Sequence, residues 1–236
     1  MLKLVINNNY NMIYDQSHYQ EEKDLVLKRI AKIALNRQYP AQYLEKINKL
    51  THEFFNLFNY EPNLELLSQP KVKEAFQCAE QAHFGQQRKY TYQAYIVHLY
   101  ETASLVSSLQ DSTQDEVIAA ILHDTVEKGG ISLEYIKENF GDTVAKHVTH
   151  LTDIATLEDG NRELRLQKNW QHFSQGLPKT NNIKAIDILS NTRSTMLCDA
   201  RYGKTYLSPI VKMMNPYFQQ SVDTHPEIKT MFQKMT

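Results

Sequence analysis

ILHDTVEK, residues 121–128, is the stretch on which the reading of this chain turns. His123 and Asp124 are adjacent, and Glu127 lies four residues past His123. Val117, Ile118, Ile121 and Leu122 recur at helical spacing, which predicts a helix over 115–127 stopped by Gly129-Gly130. On a helix, residues three and four apart share a face. Neighbours are about 100° apart, yet a long imidazole and a short carboxylate can still converge on one ion. Ile121, Leu122 and Val126 would anchor the rest of that helix in the core. Three candidate ligands or proton carriers would then project from a rigid element, as a metal site requires.

One helix rarely completes such a site. Two further candidates fall in helical segments: His98 and Asp187. Asp187 stands between Ile186 and Ile188, an odd place for a carboxylate, because burying one unpaired is costly. Two imidazoles and two carboxylates suit manganese, iron or zinc. The bland reading stands beside this one: His-Asp pairs occur by chance, and a lone helical histidine such as His98 is more often a core or surface residue. GQQRKY, residues 85–90, puts Arg88 and Lys89 just past a helix that carries His83. Such a pair can grip phosphate. Taken alone, the spacing favours two solvated cations at a helix C-terminus. His18, His52, His147, His150, His172 and His225 share no spacing with these ligands and read as surface or structural residues.

The charge balance narrows the partners. Twenty-six basic and 27 acidic side chains give a net charge of −1, so no broad field draws nucleic acid or a membrane. Cys78 and Cys198 are far apart, which argues against a disulfide framework or a cysteine zinc site. The opening MLKLVINNNY is too short an apolar run for a signal peptide or a span, so a cytoplasmic location is expected. Seven Gly and seven Pro among 236 residues favour long helices over many turned strands.

Outward from residues 121–128 the pattern stays helical, and the class is all-α. Helices are expected over 71–84, 95–109, 133–139, 143–151 (with Asp142 as a cap), 162–173, 181–197 and 204–218. Upstream, helices over 21–37 and 41–58 are expected to form an αα-hairpin, preceded by a short strand over 2–6. Residues 59–70 read as a junction with a proline near each end. The organisation is therefore a helical extension over 1–70, a main domain over 71–220 and a tail over 221–236.

Five pieces in this order resemble the HD-domain hydrolases of the Rel/Spo alarmone family, including its small single-domain members. They are AHFGQQRK, YIVH, ILHDTVEK, SLEYIKENFGDTVAKHVTHLT and IKAIDILSNTRS, within about 75–206. The resemblance implies an HD helical bundle and a divalent metal, manganese, held by His98, His123, Asp124 and Asp187. It implies that Glu127 orients or deprotonates the attacking water, and that Arg88, Lys89 and Asn191 line the nucleotide pocket. The implied reaction removes pyrophosphate from the 3′ position of a guanosine polyphosphate, a small-molecule nucleotide.

The chain departs from the family pattern around the substrate. Lys128 stands where an acid usually helps catalysis; it grips phosphate, or pairs with Asp124 or Glu127 and quenches the site, or is simply a lysine in the last helical turn before Gly-Gly, where the helix dipole favours a cation. Ala94 and Leu99 stand where prolines are common, Ile186 replaces an alanine and Ile188 a frequently basic residue. The loop between Lys89 and Tyr95 is one residue longer. No synthetase domain is expected after the match, and a homo-oligomer is compatible with the sequence. Two other readings follow: a nucleotide-binding sensor that has lost turnover, and a structural adaptor that binds no metal.

Overall fold

The computed structural model describes residues 62–89 and 92–198, together with residues 24 and 28. The expected strand over 2–6, the helix over 41–58, the helix over 204–218 and the tail lie outside the described residues. Of the expected 21–37 helix only Asp24 and Lys28 are described, both helical and exposed.

The described elements are α1 (Leu64–Leu67), α2 (Pro70–Ala82), α3 (Ile96–Ser107), α4 (Gln114–Leu122), α5 (Thr125–Gly129), α6 (Leu133–Phe140), α7 (Asp142–Leu151), α8 (Arg162–Phe173) and α9 (Thr180–Cys198). A 3₁₀ turn, Leu157–Asp159, precedes α8. Among the described residues no strand forms, and Gln87 and Ala94 make an isolated antiparallel bridge. The all-α class holds.

Position in the fold follows from apolar content. Val117 to Leu122 are all 0–1% exposed, so α4 is apolar on every side and must be packed on every side. It is the central rod, touched by α2, α3, α7 and α9. Helix α3 is the second buried rod, packed against both α4 and α9. Helices α6 and α7 are amphipathic and pair with each other, burying Ile136, Phe140, Val144 and Val148. Pro70 opens α2 at its first position, where the missing N–H costs nothing. Lys179, just before α9, pairs with Glu116 at 3.3 Å and so ties that end to α4.

Three expectations need correction. The helix over 115–127 is not continuous: α4 ends at Leu122 and α5 starts at Thr125. The break has a local cause. His123 Nδ1 lies 2.8 Å from the Ala120 carbonyl, and Thr125 Oγ1 donates to the Leu122 carbonyl at 2.7 Å. Those are the carbonyls that a continuing helix would offer to the backbone N–H groups four residues on. Asp142 does not cap a helix beginning at 143; α7 already includes it, and its N-cap is Gly141. Residues 59–70 are not all junction, since Asn63 caps the one-turn helix α1 by accepting from the Leu66 N–H at 3.0 Å. The expected stop at Gly129-Gly130 is present, with Gly130 at φ 71°, the left-handed position that favours glycine.

Candidate metal centre

The turn between α4 and α5 presents His123 and Asp124, α3 presents His98 near its start, and α9 presents Asp187. His98 Nε2 lies 3.2 Å from Asp187 Oδ1 and 3.9 Å from Asp124 Oδ2. His123 Nε2 lies 3.2 Å from Asp124 Oδ2 and 3.5 Å from Asp187 Oδ1. Ligand atoms of His98, His123 and Asp124 sit within 4.8 Å of one another. All four side chains are buried.

Hydrogen bookkeeping tests whether a cation fits. Each imidazole uses Nδ1 outside the cluster: His123 on the Ala120 carbonyl at 2.8 Å, His98 on Ser190 Oγ at 2.8 Å. A carbonyl only accepts, so His123 Nδ1 carries the proton and Nε2 a lone pair. Both Nε2 atoms are buried and have no hydrogen-bond partner in the structure. The His123 lone pair and the buried His98 Nε2 therefore face two carboxylate oxygens. Such a set is repulsive unless a proton or a cation sits among them. The residues fit a divalent cation with nitrogen and oxygen ligands.

Without a metal, a proton takes that role. Burial alone lowers the His123 pKa, but Asp124 and Asp187 outweigh it and lift it to about 10. Burial, with the Arg88 charge, lowers His98 to about 4. Burial would raise both aspartates. His123 and Lys128 hold Asp124 well below the usual carboxylate range, and Lys184 and His123 do the same for Asp187.

The outer carboxylate oxygens carry ammonium groups. Lys128 Nζ lies 2.7 Å from Asp124 Oδ1, and Lys184 Nζ lies 3.2 Å from Asp187 Oδ2. Burial opposes both charges, yet the neighbouring acids raise both lysine pKa values. The inner oxygens carry neutral donors: Tyr95 OH donates to Asp124 Oδ2, and Asn191 Nδ2 donates to Asp187 Oδ1 at 2.6 Å. Lys128 also donates to Tyr95 OH at 3.0 Å.

The other expected site residues are distributed around this cluster. Glu127 is exposed on α5, 3.9 Å from Lys128 Nζ, and burial followed by Asp124 raises its pKa against the pull of Lys128. Arg88 is not a solvated cation. Its side chain is buried and its guanidinium donates to the Ser190 carbonyl at 3.3 Å. Lys89 is exposed. Asn191 sits one turn past Asp187 and bonds it directly. Tyr95 and Lys184 were missed as site residues. Lys184 had a signal, three residues before an aspartate flanked by isoleucines, but its cover comes from elsewhere: its Nζ stands 4.4 Å from the Phe173 ring centroid on α8.

The comparisons with known proteins bear on this geometry. The HD domain family profile matches residues 75–179. The guanosine-3′,5′-bis(diphosphate) 3′-pyrophosphohydrolase MESH1 of Xenopus tropicalis is 33% identical over 129 residues, 54% of this chain and 70% of that protein. The chain belongs to the HD-domain alarmone hydrolase family. A second member, the 3′-pyrophosphohydrolase of Aquifex aeolicus, is 29% identical over 124 residues, 52% of this chain but 18% of that protein. Against a probable GTP diphosphokinase of Arabidopsis thaliana the match is 35% over 99 residues, 42% of this chain and 14% of the relative. The chain thus spans under a fifth of these longer family members. A solved structure described as a metazoan ortholog of SpoT that hydrolyzes ppGpp superposes with a TM-score of 0.61 at 21% identity. That match covers 70% of this chain and 96% of the other, and at this identity it speaks to the fold. Among the described residues of this HD-domain protein, no helix is long and apolar enough to cross a membrane.

Proposed function

We propose that this chain is a manganese-dependent phosphohydrolase of a guanosine polyphosphate or a related nucleotide, removing pyrophosphate from the 3′ position. One observation carries the reading: two partnerless imidazole nitrogens face two carboxylate oxygens in a buried cluster. The kinship with proteins named 3′-pyrophosphohydrolases supplies the substrate class. His98, His123, Asp124 and Asp187 would hold the metal. When bound, it would supply a nucleophilic water at neutral pH and offset charge on a phosphoryl oxygen. Glu127, with its raised pKa and exposed carboxylate, would orient or deprotonate the attacking water. Lys89 and the exposed part of Lys128 offer cations to phosphate at the rim. Arg88, whose guanidinium donates to the Ser190 carbonyl, would line the nucleotide and phosphate pocket. Asn191 holds Asp187 and would face the nucleoside.

Purified protein with manganese is expected to release pyrophosphate from guanosine tetraphosphate. His123→Ala and Asp124→Ala are expected to abolish release with the helical circular dichroism intact. No turnover over a panel of nucleotides and metals would overturn the assignment.

A second reading has its own observation. Lys128 Nζ is 2.7 Å from Asp124 Oδ1, so the residue that replaces an acid is paired with a metal-site carboxylate. That favours a nucleotide-binding regulator whose turnover is quenched. Calorimetric binding of the nucleotide without hydrolysis, and turnover gained in Lys128→Asp, would select it. The boundaries 1–70, 71–220 and 221–236 and a cytoplasmic setting accompany either reading.

A further inference from the structure

We propose that Glu101, acting through Ser190, is a positioning residue that fixes the tautomer of His98 for metal binding; the inference rests on the metal-centre reading above. Glu101 lies on α3 and Ser190 on α9, and both are buried at 1% exposure or less. Ser190 Oγ donates to Glu101 Oε2 at 2.6 Å. A hydroxyl has one hydrogen, and here the carboxylate takes it. The 2.8 Å contact between Ser190 Oγ and His98 Nδ1 can then form only if Nδ1–H donates to the hydroxyl oxygen. A neutral imidazole protonated at Nδ1 has its lone pair on Nε2. That Nε2 is the partnerless atom, 3.2 Å from Asp187 Oδ1. The hydrogen-bond order Glu101, Ser190, His98 thus runs in one direction and ends on a lone pair aimed at the cluster.

The two histidines reach the same state by different routes. His123 is set by a backbone carbonyl, which no side-chain change removes. His98 depends on a hydroxyl, which donates or accepts as its surroundings dictate. Without Glu101 the Ser190 hydroxyl can donate to His98 Nδ1, and the imidazole proton then sits on Nε2, where it blocks a ligand position. Thr102 Oγ1, bonded to the His98 carbonyl at 2.8 Å, stands 3.5 Å from the same Nδ1 and is a weak substitute. The same peptide is steadied from the other side by Arg88, through the Ser190 carbonyl.

The test separates this relay from the metal reading. Long-range proton–nitrogen spectra of the metal-free, histidine-labelled protein at pH 8 are expected to show His98 protonated at Nδ1. In Ser190→Ala the Nε2–H form should grow, while Ser190→Thr should keep the original tautomer. Cobalt titration followed by visible absorption should show affinity about 10–100-fold weaker in Ser190→Ala. Ser190→Thr should recover it, and metal-free melting should change little between the two. Glu101→Gln, whose amide N–H can donate to Ser190 Oγ and release the hydroxyl hydrogen toward His98, covers the case in which Ser190→Ala does not fold; its cobalt affinity should fall by about threefold or more. His98 protonated at Nε2 in the natural protein would overturn the relay. So would cobalt affinity within twofold of the natural protein in both Ser190→Ala and Glu101→Gln. If the natural protein takes up no cobalt, the metal reading fails, while the tautomer spectra still decide the relay.

Discussion

At the scale of single residues, two lysines set the character of the site. Each pairs with the outer oxygen of one buried carboxylate of the cluster, Lys128 on Asp124 and Lys184 on Asp187. Lys128 lies partly in solvent, while Asp124 is buried, so replacing Lys128 leaves the Asp124 carboxylate to His123 and to a bound cation. Lys128→Met is expected to raise manganese affinity about tenfold, close to 1.4 kcal/mol, measured by isothermal titration; unchanged affinity would mean the ion pair does not compete with the metal. Lys184 is largely buried against Phe173, so its loss leaves Asp187 facing the cluster without its ammonium. Lys184→Met is expected to destabilise the metal-free protein by about 3 kcal/mol in urea. Saturating manganese should recover much of that loss. Lys128 could be seen in the sequence, because a lysine four residues past an aspartate falls on the same side of a helix. Tyr95, Glu101 and Ser190 could not be assigned roles that way. Their partners Asp124 and His98 are 29 and 92 residues distant from Tyr95 and Ser190, and Glu101 is 89 from Ser190. No local spacing encodes contacts of that kind.

At the scale of elements, the break after Leu122 matters most. A continuous helix would hold His123 and Asp124 about 100° apart. Both residues keep right-handed helical backbone angles through the turn, and their side chains converge with His98 of α3 and Asp187 of α9. Periodicity could not reveal the break, because the apolar pattern runs through it; the cause lies in His123 and Thr125 bonding nearby carbonyls. Helix α5 then packs closely on α2. A Cβ at Gly129 would stand 2.7 Å from the Ala82 Cβ, and neither atom is at the end of a flexible side chain. Gly129→Ala should therefore cost about 1–3 kcal/mol and shift α5, read by thermal melting and by manganese affinity. On the far side, His147 joins α7 to the start of α9 through Thr180 Oγ1 at 2.8 Å. Burial, with His150 and Lys179 nearby, lowers its pKa to about 4. The unfolded chain, with an ordinary histidine pKa of about 6.5, binds this proton more readily than the folded one. Its contribution is thus complete above that value and is lost as pH falls toward the folded value, with a slope of up to about 1.4 kcal/mol per pH unit. His147→Gln should flatten the urea-derived stability profile across that window relative to the natural protein; parallel profiles would contradict this.

At the scale of the whole molecule, the fold brings together groups that are far apart in the chain. Two buried rods, α3 and α4, lie side by side with α9 across them, so residues 98, 123–124 and 187 meet at one end. Much of this was legible in advance. Helical periodicity gave the class, and the order of the pieces around residues 121–128 pointed to the four converging side chains. What could not be read was the polar support around them, because it depends on packing between helices rather than on spacing within one. A ligand bound by the folded state alone stabilises it by about 2.7 kcal/mol at a hundred times its dissociation constant. The most direct test is therefore metal stoichiometry by elemental analysis after manganese loading and desalting, with His98→Ala, His123→Ala, Asp124→Ala and Asp187→Ala in parallel. One equivalent per chain in the natural protein, lost in each folded variant, is the predicted result. No metal in the natural protein, or a full equivalent retained without His98 or Asp187, would contradict the account.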